Sequence, residues 1–128
     1  MIYLDTSIAM AHLLHETRSP DASFWDAPLT SSRLLEYELW NRLHAHGLTV
    51  SHGAAARDLL RRVAMLELTP EVLRRALAPF PVSVRTLAGL HLASALYLRE
   101  QRQPIALASY DSRMLVAARA LEIPVLPT

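Results

Sequence analysis

The sequence predicts a three-layer α/β/α fold with a central, mainly parallel β-sheet, and two observations support this class. Short apolar segments typical of buried strands alternate with segments in which apolar residues recur at helical spacing. The connections between them are short, as in parallel sheets whose strands are joined by helices. Because 128 residues suit one domain of ordinary size, we assign residues 1–128 to a single domain.

The first part of the chain predicts two strands and three helices. The strands lie at residues 2–4 and 29–31, and the helices at 7–15, 20–26 and 34–46. The last helix should end at Gly47, because glycine readily adopts the left-handed conformation that follows a helix end.

The rest of the chain continues the alternation. We predict strands at 65–68, 105–108 and 124–126, and helices at 51–64, 70–77, 87–100 and 112–121. Ser51, Thr69 and Thr86 are the expected N-caps of the first three of these helices. Pro70 suits the first helical position after Thr69.

Composition limits the kind of protein and the kind of site. The chain is 52% hydrophobic and 20% charged, which favours a folded domain over a disordered segment. Because the formal charge is only +1, a polyanion would bind to a local patch of basic residues and would not be attracted by an overall positive charge. The absence of cysteine excludes disulfides and thiolate metal sites. With no apolar segment long enough to span a bilayer, we expect a cytoplasmic protein that does not enter membranes.

Three acids lie beside the ends of predicted elements. Asp5 ends the first strand, Asp111 follows a later one, and Glu38 lies on the helix at 34–46. Because the carboxyl ends of parallel strands share one edge of the sheet, Asp5 and Asp111 can meet there. Clustered carboxylates are suitable ligands for a hard divalent cation such as Mg²⁺.

Each acid also has an ordinary structural explanation. Asp5 is a possible helix N-cap and Asp111 a possible turn residue. Glu38 can form a surface ion pair with Arg42 worth about 0.3 kcal/mol. Glu36 has apolar neighbours one turn away, as Glu38 does, so helical periodicity does not distinguish the two glutamates.

Four segments carry these acids in a definite order: IYLDTS at 2–7, SSRLLEYEL at 31–39, RTLAGLHLASAL at 85–96 and SYDSRML at 109–115. In order and context they resemble the motifs of the PIN-domain ribonucleases, particularly the VapC-type toxins of bacterial toxin–antitoxin pairs. The resemblance extends from the first strand to Pro127.

The resemblance implies a metal-dependent endoribonuclease that uses Mg²⁺ or Mn²⁺. It implies catalytic roles for Asp5, Glu38 and Asp111, with Asp5 and Asp111 as metal ligands, and it selects Glu38 over Glu36. Ser7 and Ser109 would orient bound water or phosphate, although capping and turn hydrogen bonds are equally compatible with these serines. The implied partners are RNA, a cognate antitoxin and a second copy of the chain, with DNA contacted only through the antitoxin.

One position departs from the family pattern. Such toxins usually carry aspartate where this chain has Ala88, and alanine offers no ligand oxygen. We therefore expect a disabled or weakened ribonuclease, and since the rest of the helix motif is intact we favour a chain altered at this position. The alternative is a non-catalytic PIN-fold module that binds RNA or an antitoxin. A phosphatase or receiver-like domain using Asp5 as nucleophile fits less well, because the segment lacks a second aspartate.

Other polar and aromatic residues have two possible interpretations. We expect His91 to be packed or hydrogen-bonded and not a metal ligand. Three arginines are candidates for phosphate contacts or else solvated surface charges, namely Arg42, Arg85 and Arg113. Four aromatic residues could form an antitoxin groove but more commonly would be buried, namely Phe24, Trp25, Tyr37 and Trp40.

Overall fold

A computed structural model describes residues 1–126 and shows a four-stranded parallel sheet. The strands are β1 (Ile2–Leu4), β2 (Leu29–Ser32), β3 (Val63–Leu66) and β4 (Ala106–Ala108). Their order is β3-β2-β1-β4, and every neighbouring pair is parallel. The segment predicted at 124–126 contributes an isolated parallel bridge from Val125 to Leu107. Two residues of the predicted domain, Pro127 and Thr128, lie outside the described part.

Six α-helices connect and cover the strands. They are α1 (Thr6–Leu13), α2 (Leu34–Ala45), α3 (Thr49–Arg61), α4 (Pro70–Leu77), α5 (Thr86–Glu100) and α6 (Ser112–Ala120), with a short 3₁₀ helix at Ala22–Asp26. None of the helices within residues 1–126 is long and apolar enough to cross a membrane.

The two faces of the sheet have separate apolar cores. Leu4 belongs to the core that contains residues of α1, α2 and α3, whereas Tyr3 belongs to the core built with α5 and α6. Successive side chains of a strand point to opposite faces, so these two neighbours enter different layers. The arrangement confirms the predicted α/β/α class.

Helix and strand boundaries agree best where a local signal is strong. Gly47 has φ of 66° directly after His46, the C-cap of α2, and ends the helix as predicted. Thr69 caps α4 by accepting a hydrogen bond from the Val72 amide, and Pro70 is its first residue.

Two predicted N-caps are wrong. Helix α3 starts at Thr49, two residues before Ser51, because the tight turn after α2 already bonds the Leu48 amide to the Leu43 carbonyl at 2.8 Å. Thr86 is the first residue of α5, and Arg85 occupies the cap position without a side-chain bond. Strand β3 also starts earlier than predicted, because Val63 pairs with Leu29.

Candidate functional site

A pocket of about 410 Å³ lies at the carboxyl end of the central strands. Residues from the β1–α1 junction, α2, α5 and α6 line it. Its lining includes all three acids singled out from the sequence together with the alanine position: Asp5, Glu38, Ala88 and Asp111. The fold therefore brings four positions that are far apart in the chain to one concave surface.

Asp5 is held by two serines and does not act as a helix cap. It occupies the cap position of α1, but its side chain makes no cap hydrogen bond. Its Oδ2 instead accepts hydrogen bonds from Ser7 Oγ at 2.8 Å and Ser109 Oγ at 2.7 Å. Asp5 is 6% exposed. The cap interpretation is thus wrong for the side chain, which is bonded to the first turn of α1 and to the residue after β4.

The same two hydroxyls fasten the loop between β4 and α6. Ser7 Oγ accepts from the Tyr110 amide at 2.9 Å, and Ser109 Oγ accepts from the Asp111 amide at 2.9 Å. Each hydroxyl donates its proton to Asp5 and accepts a backbone N–H. Within residues 1–126, Oδ1 of Asp5 makes no hydrogen bond, so this oxygen is available to a ligand.

Glu38 is bonded to a buried histidine and not to Arg42. Its Oε1 lies 2.7 Å from His91 Nε2, and His91 Nδ1 lies 2.7 Å from the Tyr3 hydroxyl. Burial raises the pKa of the Tyr3 phenol well above its ordinary value, so this group is protonated. Both bonds are satisfied when Tyr3 donates to Nδ1 and Nε2–H donates to Glu38. The expectation that His91 is packed and hydrogen-bonded is met, since it is 1% exposed.

The surface ion-pair interpretation applies to the neighbouring glutamate instead. Glu36 is bonded to Arg33 at 3.1 Å, and both side chains are nearly half exposed. Glu38 is 8% exposed and lines the pocket. The hydrogen bond to His91 of α5 therefore distinguishes the two glutamates, which periodicity could not.

Asp111 combines a structural bond with a position on the pocket. Its Oδ1 accepts hydrogen bonds from the amides of Arg113 at 2.9 Å and Met114 at 3.3 Å, which makes it the N-cap of α6. Unlike Asp5 and Glu38, Asp111 is exposed. Ala88 faces the same pocket from α5 and contributes no polar side-chain atom.

The carboxylates of the pocket are the kind of ligand that a hard divalent cation prefers, but too few of them lie close enough together to hold one ion. Carboxylate oxygens from three chain segments line the pocket, which suits Mg²⁺ or Mn²⁺. Within residues 1–126, however, no three acidic or histidine side chains are placed so that they could hold one metal ion. Position 88 lies on the wall of this pocket, where an aspartate would add a further carboxylate.

The sequence analysis did not predict the hydrogen-bonded chain Tyr3–His91–Glu38. Tyr3 resembled an ordinary buried strand residue, and its pairing with His91 spans 88 positions of the chain. A hydroxyl-bearing aromatic within an otherwise aliphatic strand was the available signal, because a buried phenol needs a partner.

The four aromatic residues, for which burial was the commoner expectation and an exposed groove the alternative, do not form one exposed groove. Phe24, Trp25 and Trp40 pack against the apolar core beside α1–α3. Tyr37 is the exception, with 63% of its surface exposed. Three of the four are therefore partly buried against the core, which is closer to the more common fate than to an exposed groove.

The fold and the acidic pocket define an α/β domain with a carboxylate site at the edge of a parallel sheet. The family model described as PIN domain matches residues 2–120. The chain is also 29% identical over 126 residues to Ribonuclease VapC47 of Mycobacterium tuberculosis (strain CDC 1551 / Oshkosh), a match covering 93% of this chain and 90% of that protein. The chain belongs to the PIN-domain family.

Proposed function

We propose that this protein is the toxin component of a VapC-type toxin–antitoxin pair, a metal-dependent endoribonuclease that is disabled or weakened by Ala88. Family membership and the similarity to a protein named as a VapC ribonuclease support the class. The observation that carries the proposal is the shared pocket, which Asp5, Glu38, Asp111 and Ala88 all line.

Each residue has a defined part in this proposal. Asp5 and Asp111 would hold Mg²⁺ or Mn²⁺, and Glu38 would be the acid contributed by α2. A bound cation supplies charge stabilisation at a phosphodiester and an activated water. Ser7 and Ser109 hold Asp5 in a fixed orientation through hydrogen bonds to Oδ2.

The proposal includes the partners that the family implies. They are an RNA substrate, a cognate antitoxin that blocks cleavage, and a second copy of the chain in a homodimer, all in the cytoplasm. Contact with DNA would be made through the antitoxin.

A second candidate is a non-catalytic PIN-fold module that binds RNA or an antitoxin. Ala88 favours this candidate, because the described residues provide no three-ligand metal group. The two candidates differ in what a restored carboxylate would do.

The test is Ala88→Asp, measured by Mn²⁺ titration and by cleavage of a single-stranded RNA. We expect Mn²⁺ affinity to rise on the order of tenfold, equivalent to about 1.4 kcal/mol, and RNA cleavage to appear or increase. Metal affinity should weaken as pH falls, because protons compete for the carboxylates.

The matched control is Val50→Asp, which adds the same charge on α3 at a side chain that is 99% exposed. The control should change neither quantity. Unchanged Mn²⁺ affinity and unchanged cleavage in Ala88→Asp would reject the ribonuclease and favour the non-catalytic module.

A further inference from the structure

The cationic residues of this chain fall into two groups with different surroundings. All thirteen are arginines, and lysine is absent. Arg33 and Arg61 form ion pairs with carboxylates. Arg99 donates to the Leu121 carbonyl at 2.7 Å. Three more lie over aromatic rings, namely Arg18, Arg57 and Arg75.

The second group makes no side-chain hydrogen bond, ion pair or ring contact with any part of residues 1–126. Its members are Arg42, Arg62, Arg74, Arg85, Arg102, Arg113 and Arg119. Three of them border the acidic site: Arg42 and Arg85 line the acidic pocket, and Arg85 and Arg113 line an adjoining pocket of about 580 Å³.

The two pockets form one continuous groove. They share four residues, namely Arg85, Ala88, Asp111 and Met114. Among the three arginines, Arg42 belongs to the acidic pocket alone, Arg113 to the adjoining pocket alone, and Arg85 to both. Guanidinium groups therefore follow the groove past the acids.

These arginines are exposed and remain unpaired although carboxylates line the same groove. The buried acids already have other partners, because Asp5 is held by serines and Glu38 by His91. A guanidinium with five free donors matches a phosphate group, to which it can bond in bidentate fashion.

The depth of the acids indicates which form of nucleic acid fits. Asp5 and Glu38 are 6% and 8% exposed, so a phosphodiester has to enter the pocket to approach them. A duplex holds its backbone in a rigid, wide helix, whereas a single strand can bend into a groove and be followed by basic side chains.

We propose that Arg42, Arg85 and Arg113 bind successive phosphates of one RNA single strand, on both sides of the bond that faces the acidic pocket. The identity of the polyanion rests on the proposed function. The arrangement of the three arginines along the groove does not depend on cleavage.

The experiment measures binding of a fluorescent RNA single strand by anisotropy at increasing NaCl, without divalent metal, for the unmodified chain and for R42Q, R85Q and R113Q. Each phosphate contact contributes about 0.7 to the slope of log affinity against log salt for single strands. We expect a slope of about −2 for the parent and a reduction of about 0.7 in magnitude for each variant.

The matched control is R119Q, because Arg119 is an exposed, unbonded arginine on the same helix as Arg113 but lines neither pocket. Its slope should equal that of the parent. Parental slopes in the three groove variants, or tighter binding of a duplex than of the single strand, would overturn the proposal. Unchanged thermal unfolding of each variant shows that the fold is retained.

The two proposals fail in different ways. If the salt slope falls in the groove variants but Ala88→Asp cleaves no RNA, the ribonuclease is rejected and RNA binding by the three arginines is retained. If Ala88→Asp cleaves RNA but the groove variants keep the parental salt slope, RNA binding by the three arginines is rejected and the ribonuclease is retained.

Discussion

The two ends of helix α1 open onto two pockets with similar residue types but different organisation. At the N-terminal end, Asp5 and Ser7 line the acidic pocket. At the C-terminal end, His12 and His15 line a pocket of about 290 Å³ that also contains Asp58 and Arg62. Both pockets thus combine acids, histidines and arginines.

The difference lies in what holds the charged groups. The acidic pocket is held together by bonds between distant residues, such as Ser109 to Asp5 across 104 positions and His91 to Glu38 across 53. In the second pocket, Asp58 pairs with Arg61 one turn away on an exposed helix surface.

The histidines differ in the same way. His12 is half-buried and packs on Trp25 with ring centroids 4.4 Å apart, whereas His91 is fully buried and bonded through both nitrogens. Residue types alone therefore do not distinguish the two pockets. Buried polar groups held by partners from separate elements are costly to maintain, and they distinguish the candidate site from the second pocket.

The strongest test of this difference is His91→Ala. Removing the ring leaves the Tyr3 hydroxyl and the Glu38 carboxylate without their partner and opens a cavity. We expect a loss of about 3–5 kcal/mol in the free energy of unfolding, measured by urea denaturation.

The control is His46→Ala, because His46 is exposed at the end of α2. Its unfolding free energy should stay within about 0.5 kcal/mol of the parent. If both variants lost the same small amount of unfolding free energy, the hydrogen bonds among Tyr3, His91 and Glu38 would not stabilise the fold.

A smaller effect is expected from Ser109→Ala, which changes a residue bonded to Asp5. Asp5 loses one of its two hydroxyl donors, and the Asp111 amide loses its acceptor. Stability should fall by about 1–2 kcal/mol, since two hydrogen bonds of a buried hydroxyl are removed.

Ser83→Ala serves as the comparison, because Ser83 is an exposed serine of the adjoining pocket. Thermal unfolding of both variants checks the difference. Equal midpoints for the two alanine variants would contradict a supporting role of Ser109.

The smallest effect concerns the second pocket and its dependence on pH. Burial, followed by the positive charges of His15 and Arg62, lowers the pKa of His12 below its usual value of 6.5. The unfolded chain then binds a proton more readily than the folded chain does. The stability contributed by neutral His12 is present above pH 6.5 and is lost as pH falls through the folded pKa.

His12→Gln should therefore flatten the decline in unfolding free energy between about pH 7 and 5, as seen in denaturation series across that range. His46→Gln is the matched control and should leave the profile unchanged. A profile identical to the parent in His12→Gln would show that the second pocket does not discriminate against the charged histidine.

Local signals predicted much of the fold but little of the bonding within the site. The stop of α2 at Gly47 and the cap of α4 at Thr69 follow from the conformational preferences of single residues. The start of α3 did not, because the turn after α2 decided it and no side chain capped it. Asp111, expected as a turn residue, caps α6, whereas Asp5, expected as a cap, makes no cap hydrogen bond.

By itself, the sequence determined the alternation of strands and helices, the class of the fold and the family motifs, because these depend on periodicity and on order along the chain. The family motifs already favour Glu38 over Glu36, but only the tertiary structure shows that Glu38 lines the pocket and that His91 and Tyr3 hold it there. Those contacts join separate elements across tens of positions, and packing at the edge of the sheet selects them. No pattern within one helix or strand contains that information.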